Sequence, residues 1–293
     1  MTKSSSLDLH QAVTDKIVAA IESGVAEARM PWHRPGLSTM LPKNALTGNA
    51  YNGINIVTLW AEAQHASYPV SLWGTYRQWL ELGAQVRKGE KASLVVFYKS
   101  YEVEPSEGDD DGKRRVAKAS WVFNAAQVDG YTLPGIPDRP LIEKRTDAEA
   151  FLARLGVPVV IGGEQAFYRP STDTIHMPDE RLFDASTELA RTEDWYSVAL
   201  HEAGHATGIE KRLHRELGKR FGDQAYCMEE LVAELTGAMA MAHLGMSAQP
   251  RPDHAQYIAH WLGVLRADKK AIFTAAARAQ EALGWMIKQQ GEA

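Results

Sequence analysis

The sequence has only one cysteine, Cys227, among its 293 residues, so no disulfide within the chain can stabilise the fold. A chain that folds without disulfides is typical of a reducing compartment, and we expect a cytoplasmic protein. No stretch approaches the roughly 18 consecutive apolar residues of a membrane-spanning helix, and the N-terminus lacks the apolar segment of a signal peptide. We therefore expect no membrane partner, and we also expect a monomer.

The sequence also lacks an excess of positive charge and any internal repeat. Its net charge is −5, so no global basic field attracts nucleic acid, and any such contact must be local. Hydrophobic residues make up 45% of the chain, which is enough for packed cores. The length favours two domains over one.

A proline-rich run near the middle of the chain marks the boundary between the two domains. We expect an α+β fold with a small N-terminal α+β domain over residues 1–132, a linker over residues 133–142, and a mostly helical domain with a short sheet over residues 143–293. Because proline and glycine interrupt regular structure, few contacts should cross the linker.

Apolar spacing predicts the individual elements. Helices are predicted over 7–28, 54–66, 147–155, from 191 onward, and over 226–235, 253–261 and 267–289, with helical spacing also at 73–79. Strands are predicted over 94–98, 119–124, 157–161, 165–168 and 173–178, the last of these at a sheet edge closed by proline. Residues 105–118 are predicted to form a charged loop.

The most informative stretch of the sequence is His201-Glu202-Ala203-Gly204-His205. On a helix, residues four apart lie on one face, so His201 and His205 can bind the same metal ion. Glu202 lies one step round the helix, where it can act as a general base. This is the H-E-x-x-H pattern of zinc hydrolases, with two ligands and one base.

The residues around this pattern indicate that it lies on a helix. Thr192 can cap the start, Glu193 and Asp194 suit the first turn, and Gly208 can end it. The competing interpretation is a helix that carries two incidental surface histidines.

The third ligand of a catalytic metal must come from elsewhere in the chain. A third histidine six residues after the second defines one class of zinc peptidase, but Lys211 occupies that position and excludes the class. The predicted helix 226–235 offers Glu229 and Glu230, and the sequence leaves open which of them binds the metal. Glu234 can accept a hydrogen bond from a ligating histidine. The competing interpretation is a solvated acidic face.

The predicted ligands also constrain the metal and the chemistry. Two histidines and one carboxylate suit Zn²⁺, although Mn²⁺ or another divalent ion can replace it. Tyr226 and His254 are candidates for stabilising the negative charge on a carbonyl oxygen during hydrolysis.

The N-terminal half combines aromatic side chains with a local excess of basic residues. Between residues 71 and 101 there are five basic and two acidic residues, in a chain that is acidic overall. Rings that stack on bases and cations that meet phosphates are what a single strand of nucleic acid requires. The predicted contacts are Trp32, Asn44, Tyr51, Asn52, Trp73, Tyr76, Arg87, Lys88 and Lys91. The alternative is that rings form the domain core, and we favour it for Trp60, Trp79 and Trp121.

Long runs in both halves resemble the ArdC family of plasmid-borne antirestriction proteins. The N-terminal runs are Met30-Pro-Trp32, Pro42-Lys-Asn-Ala-Leu-Thr-Gly-Asn-Ala-Tyr-Asn-Gly-Ile-Asn55, Trp73-Gly-Thr-Tyr-Arg-Gln-Trp79 and Gly83-Ala-Gln-Val-Arg-Lys-Gly-Glu-Lys91. The C-terminal half resembles the zincin-like metallopeptidase domain of that family, and its Glu-Glu-Leu-Val-Ala-Glu run resembles the third-ligand helix of gluzincins. The N-terminal domain of the family also occurs in TraC-type conjugative primases.

The resemblance implies binding of single-stranded DNA, action during conjugative transfer and protection of incoming DNA from host restriction. Two functions are compatible with it. The protein is either a DNA-binding module whose metal domain is structural or regulatory, or an active metallopeptidase that DNA recruits to a host protein. Glu202 favours retained chemistry, because a purely structural metal site needs no general base.

Overall fold

The computed structural model describes residues 8–24, 30–33, 40–102, 113–133, 140–183, 186–217, 224–248 and 254–291. These residues form both helices and antiparallel or mixed sheets, with runs of consecutive strands and of consecutive helices, which confirms the predicted α+β class. Within the described ranges, no helix is both long enough and apolar enough to cross a membrane.

The helices and strands have the following bounds. The helices are α1 (Leu9–Gly24), α2 (Ile54–His65), α3 (Tyr76–Glu81), α4 (Leu141–Arg154), α5 (Glu188–Ala206), α6 (Gln224–His243), α7 (His254–Ala267) and α8 (Ala271–Gln289). The strands are β1 (Lys43–Asn44), β2 (Leu72–Gly74), β3 (Gln85–Val86), β4 (Ser93–Glu102), β5 (Lys113–Asn124), β6 (Val128–Asp129), β7 (Val159–Ile161), β8 (Phe167–Arg169) and β9 (Thr174–Met177).

The main sheet of the N-terminal half has the strand order β1-β2-β5-β4. Its longest ladder pairs β4 with β5 antiparallel, from Ser93 opposite Val122 to Glu102 opposite Lys113. Residues 113–118, predicted as loop, therefore belong to a strand, because each has a partner on β4; residues 103–112 lie outside the described residues. The helical spacing at 73–79 is also only partly correct, since Trp73 lies in β2 and the helix begins after a Thr75 cap.

The three-stranded sheet of the C-terminal half has the order β7-β9-β8. The prediction that residues 173–178 form an edge strand is wrong, because β9 pairs on both sides, parallel with β7 and antiparallel with β8. Pro178 lies just beyond β9 and removes no hydrogen bond from its ladders. The edge next to α5 is therefore β8.

The N-terminal cap of helix α5 lies five residues before the cap that the sequence predicts. Its cap is Thr187, whose hydroxyl accepts a hydrogen bond from the Ala190 amide at 3.1 Å. Thr192, the predicted cap, lies within the second turn of the helix. Its side chain is buried, and its hydroxyl donates a hydrogen bond to Glu180 at 3.1 Å. The longer α5 makes extensive contact with α6.

Two glycines allow α5 and α6 to approach closely. A Cβ built on Gly204 of α5 would lie 3.1 Å from the backbone of Ala233. A Cβ built on Gly237 of α6 would lie 3.2 Å from the backbone nitrogen of His201. Side chains at these positions would push the helices apart, so the glycines set the distance between the histidines and the acids of α6.

The two halves of the chain share one hydrophobic core. Buried residues of α1 and α2, such as Ile17 and Val57, belong to the same cluster as Trp261 of α7 and Ile272 of α8. The Thr14 hydroxyl also donates to the Lys269 carbonyl at 2.8 Å. The expectation of few contacts across the linker is therefore wrong. Helix α4 begins at Leu141, inside the predicted linker. Residues 134–139 of that linker lie outside the described residues.

Candidate metal centre and nucleic-acid cleft

Helices α5 and α6 bring three potential metal ligands together. The Nε2 atoms of His201 and His205 lie 3.1 Å apart. The Glu230 carboxylate lies 3.4 Å from His205 Nε2 and 3.6 Å from His201 Nε2. All three side chains offer a donor atom within 4.8 Å of the others.

The spacing of these donor atoms fits a tetrahedral divalent ion. Ligands about 2.0–2.1 Å from a zinc ion lie about 3.3–3.4 Å from one another at the tetrahedral angle. The two histidine nitrogens are 3.1 Å apart, and each faces one oxygen of Glu230, Oε1 at 3.4 Å from His205 and Oε2 at 3.6 Å from His201, so the separations lie close to this value. Burial alone would lower the pKa of His205, but the carboxylates of Glu229 and Glu230 raise it. A cation here would therefore replace a proton that these carboxylates otherwise favour.

The structure separates the roles of the two adjacent glutamates on α6. Glu229 is held by the guanidinium of Arg215, at 2.8 and 2.9 Å, and its Oε1 lies 3.3 Å from His205 Nδ1. Burial raises the pKa of Glu229, but the hydrogen bonds from Arg215 and His205 outweigh burial and lower it. Glu229 thus orients His205 from behind, and Glu230 is the candidate that meets both histidines.

Glu234 lies behind the other histidine. Its Oε2 is 3.5 Å from His201 Nδ1, on the far side of the ring from the ligand cluster. Its Oε1 accepts hydrogen bonds from Trp32 Nε1 at 2.9 Å and from His33 Nε2 at 2.8 Å. Trp32 is only 2% exposed, so the prediction that its ring is available to DNA is wrong. His33 was missed because its partner is 201 residues away and no local pattern marks it.

Glu202 is held in place by a strand edge. It is 6% exposed, and its Oε2 accepts the Tyr168 amide at 2.8 Å. Among the described residues β8 lies at the edge of its sheet, so this amide faces no neighbouring strand and bonds to Glu202 instead. Nothing in the sequence marks Tyr168 for this role, since a backbone amide can belong to any residue.

A partly buried ion pair supports that edge. The Tyr168 hydroxyl donates to Asp173 at 2.7 Å, and the Arg212 guanidinium contacts both oxygens of Asp173 at 2.7 and 2.9 Å. The Arg212 hydrogen bond, aided by Lys211 and Tyr168, holds the pKa of Asp173 well below its usual range despite desolvation. Burial first, and then Asp173, raises the pKa of Tyr168.

Of the two candidates for stabilising a carbonyl oxygen, Tyr226 lies beside a potential metal ligand. The Tyr226 hydroxyl lies 3.1 Å from the Tyr257 hydroxyl, and it also interacts with Glu230. Burial, followed by these partners, raises the pKa of Tyr226, so the phenol keeps its proton and can donate it in a hydrogen bond. The side chain of His254 lies outside the described part of the chain.

The predicted aromatic contacts to DNA are mostly buried. Trp73 is 0% exposed in a cluster with Val95 and Val122, so the prediction that it stacks on a base is wrong. Trp73 lies on β2, which pairs with the inner strand β5. The loops on either side of β2 therefore do not expose its ring. Tyr76 is 47% exposed, and Trp121, predicted to be in the core, is 51% exposed.

The predicted basic contacts differ in how much of their charge is available to a ligand. Arg87 bonds to Glu90 at 2.8 Å and lies 3.5 Å from Asp129, so much of its charge is neutralised within the protein. Lys88 and Lys91 are exposed. Lys91 lines a cavity beside α1 and α2, away from the predicted rings.

A larger cleft lies between the N-terminal half and α8. Its volume is about 1110 Å³, and no acidic residue is among the described residues that line it. Its lining includes Asn44, Tyr51 and Asn52, which are predicted DNA contacts, together with Phe97, Tyr98, Lys270 and Arg278. Phe97 and Tyr98 are about half exposed, at 49% and 51%. No sequence pattern indicates that α8 completes this cleft.

Comparisons with known proteins agree with the two-part sequence. Residues 146–278 match a family described as zincin-like metallopeptidase, and residues 7–123 match the N-terminal domain of anti-restriction factor ArdC. The whole chain is 47% identical to the uncharacterized protein y4eC of Sinorhizobium fredii (strain NBRC 101917 / NGR234) and covers 95% of it. It is 35% identical to a DNA primase TraC of Escherichia coli but spans only 26% of that protein's length.

Solved structures show the same similarity. The metal-free crystal structure of the antirestriction protein ArdC from plasmid R388 is 35% identical, with a TM-score of 0.76 over 97% of this chain and 98% of that one. The Mn(II)-bound structure of the same protein has a TM-score of 0.74 over 98% and 99% of the two chains.

Proposed function

The chain belongs to the ArdC family of antirestriction proteins, as its motifs predict, and from this premise we propose that it is a metal-dependent peptidase that single-stranded DNA directs. The observation that carries the peptidase proposal is Glu202. Its carboxylate is buried beside three potential ligands and is oriented by a backbone amide. A metal site with a purely structural role would need no such carboxylate.

We propose that His201, His205 and Glu230 hold one divalent ion, and that this ion is zinc. Two imidazoles and one carboxylate are a donor set that catalytic zinc uses in other hydrolases. The Mn(II)-bound structure of the R388 relative supports binding of a divalent ion by this family, and divalent metals other than zinc can occupy such donors. Glu229 and Glu234 orient the two histidines from behind.

The proposed reaction is hydrolysis of a peptide bond in a host protein. A divalent ion supplies a Lewis acid that activates water and polarises a carbonyl. Glu202 is the general base, and because Oε2 is engaged by the Tyr168 amide, Oε1 is the oxygen left to take the proton. Tyr226, held near Glu230, is placed to donate a hydrogen bond to the carbonyl oxygen.

The experiment that tests the peptidase compares wild type with Glu202→Gln. Zinc-loaded proteins are incubated with an extract of a recipient bacterium, with and without single-stranded DNA, and new protein N-termini are quantified. Wild type should generate cleavage sites that Glu202→Gln does not, while both retain zinc. Glu164→Gln, the same change at an exposed glutamate, is the matched control. Equal cleavage by Glu202→Gln would exclude Glu202 as the base.

We also propose that the cleft between the N-terminal half and α8 binds single-stranded DNA. The supporting observation is the absence of acids from its described lining, in a chain whose net charge is −5. Lys270 and Arg278 would meet phosphates, and Phe97 and Tyr98 would stack on bases. Amides such as Asn52 would add polar contacts.

We propose that those predicted DNA contacts whose side chains have accessible atoms do contact the DNA. Asn44 and Tyr51 line the cleft together with Asn52, and Tyr51 presents only 7% of its surface there. Tyr76, Lys88 and Lys91 are exposed and are proposed as further contacts beyond the cleft.

Matched variants test the cleft through binding of a single-stranded oligothymidylate at several salt concentrations. Arg278→Gln should weaken binding and lower the slope of log affinity against log salt by about 0.7, as loss of one phosphate contact to a single strand does. Phe97→Ala should weaken binding by about 1–3 kcal/mol with the slope nearly unchanged. Lys288→Gln on the same helix and Trp121→Ala on the same hairpin are the controls. If all four variants bind like wild type, the cleft is not the DNA site.

Conjugation assays separate the peptidase from protection by DNA binding alone. Plasmid transfer is counted into recipients with and without a restriction system. If peptidase activity protects incoming DNA, Glu202→Gln should lose protection. If binding alone protects, Glu202→Gln should protect fully and Arg278→Gln should not.

A further inference from the structure

A short segment of the N-terminal half reaches into the metal centre of the C-terminal half. Residues 30–33 are buried, with Trp32 at 2% and His33 at 6% exposure. Both side chains donate to the same atom, Oε1 of Glu234, which is itself 5% exposed. The sequence separations are 202 and 201 residues, so this contact joins distant parts of the chain.

The contact continues through Glu234 to a potential ligand. Glu234 Oε2 faces His201 Nδ1 at 3.5 Å, and His201 Nε2 faces the ligand cluster. A histidine that binds a metal through one nitrogen is held by an acceptor at the other nitrogen, and that acceptor must itself be fixed. Two donors on one oxygen fix both the position and the rotation of the Glu234 carboxylate.

The donors are arranged for this task. The Met30 amide donates to His33 Nδ1 at 3.1 Å, so the neutral ring carries its proton on Nε2 and donates it to Glu234. The Trp32 indole can only donate. A buried carboxylate without such partners would be costly, and apolar packing alone would not require two donors aimed at one oxygen.

We propose that Trp32 and His33 are positioning residues of the metal centre, so that the N-terminal half completes a site whose ligands all lie in the C-terminal half. This inference rests on the proposed binding of a divalent ion at His201, His205 and Glu230. It assigns the segment 30–33 to metal affinity, rather than to DNA contact, and it makes the metal centre dependent on how the two halves are packed.

The first test measures metal affinity of the full chain after substitution of Trp32. Zn²⁺ affinity is measured by competition with a chromophoric chelator, and Co²⁺ spectra report the coordination geometry. Trp32→Phe should weaken Zn²⁺ binding by about 10–100-fold, the usual effect of losing a group that holds a ligand. The matched control is Trp79→Phe, which also removes a buried indole hydrogen bond, from Trp79 Nε1 to the Phe123 carbonyl at 3.0 Å, far from the ligands.

A second pair of variants keeps the test decisive if Trp32→Phe fails to fold. His33→Gln retains a donor that can reach Glu234, whereas His33→Leu removes it. His33→Gln should retain most of the Zn²⁺ affinity, and His33→Leu should lose about 10-fold or more. Melting temperatures without metal show whether each variant is folded.

A double-mutant cycle distinguishes positioning from general packing. In a Glu234→Gln background, Trp32→Phe and His33→Leu should cause little further loss of Zn²⁺ affinity, because they act through Glu234. Additive losses would overturn the inference, as would wild-type affinity in the folded Trp32→Phe and His33→Leu proteins. If the wild type itself binds no Zn²⁺ or Co²⁺, the proposed metal site fails, which is a separate outcome.

Discussion

Glu229 and Glu230 are adjacent on α6, yet they face different partners. One step along a helix rotates a side chain by about 100°, which turns Glu229 toward Arg215 and Glu230 toward both histidines. The sequence leaves both as candidates for the third ligand, because the choice depends on the rotation of α6 against α5. No residue pattern within α6 indicates how the helix is rotated against α5.

The two glutamates should therefore have opposite effects when substituted. Glu230→Gln should abolish stoichiometric zinc binding and leave the metal-free protein about as stable as wild type. Glu229→Gln should retain zinc with lower affinity but destabilise the fold by about 3 kcal/mol, since it leaves the buried Arg215 guanidinium without its charged partner. Elemental analysis after dialysis and urea titration of the metal-free proteins measure the two effects. Loss of zinc from Glu229→Gln but not from Glu230→Gln would reverse the assignment.

Asp194 on α5 should make stability depend on pH. Burial first, and the carboxylate of Glu193 second, raises the pKa of Asp194 from 3.8 to about 6. Between these values the folded protein holds a proton that the unfolded chain has lost, so the free energy of unfolding falls as the pH rises. The destabilisation that results from ionising the buried Asp194 is absent below about pH 4 and complete above about pH 6.

Asp194→Asn should remove this penalty. We expect the substitution to raise the free energy of unfolding by about 1 kcal/mol at neutral pH and to have little effect near pH 4. This value is smaller than the pKa shift alone would give, because the side chain is partly exposed and solvent screens its charge. Urea titrations of both proteins across this pH range provide the measurement. A stabilisation of the same size at every pH would show that titration of Asp194 is not the cause.

At the scale of single residues, local geometry decides what the sequence can predict. His201, Glu202 and His205 follow from helical spacing, because one helix carries all three. The burial of Trp32 and Trp73 could not be predicted, because it depends on Glu234 and on an inner strand, both distant in sequence. A tryptophan beside a loop looks the same in either environment.

At the scale of elements, the separation of α5 and α6 determines the metal centre. In Gly237→Ala, the new Cβ would lie 3.2 Å from the nitrogen and 3.3 Å from the Cα of His201. Alanine gains up to about 1 kcal/mol of helix propensity over glycine, whereas a forced shift in a packed core costs about 1–3 kcal/mol. Because backbone atoms of α5 cannot rotate away, we expect the clash to outweigh the propensity.

Gly237→Ala should therefore lower both the free energy of unfolding and the affinity for Zn²⁺. Gly284→Ala is the control: it is also helical, no atom lies within 4 Å of its new Cβ, and it should gain up to about 1 kcal/mol from helix propensity. Thermal melts and metal titrations of the two variants provide the comparison. Stabilisation of the protein by both substitutions would show that the helices separate freely.

Element types were easier to predict than element ends or neighbours. The helices and most strands appear where apolar spacing places them, because that spacing reflects which face is buried. The start of α5 differs because Thr187 and Thr192 are equally suitable caps in isolation. The position of β9 in the middle of its sheet depends on β7 and β8, and a proline just beyond a strand does not reveal its neighbours.

At the scale of the whole molecule, the shared core changes what is expected of fragments. The proline-rich run predicts two halves that fold separately, but α1 packs on α7 and α2 packs on α8. Without the C-terminal half, buried side chains of α1 such as Ile17 and Ile21 would lose part of their covering. Exposed apolar area costs roughly 25 cal/mol per Å², which is large beside the few kcal/mol that stabilise a small domain.

A fragment of residues 1–132 should therefore fail to fold cooperatively by itself. We expect a broad thermal transition by circular dichroism and weak binding to single-stranded DNA, because α8 supplies one wall of the proposed cleft. The fragment 133–293 should bind Zn²⁺ more weakly than the full chain, since it lacks Trp32 and His33. Co-expression of the two fragments should restore a cooperative transition, because the shared core can form from two chains. A sharp transition and full-strength DNA binding by residues 1–132 alone would show that the contacts between the halves contribute little to either property.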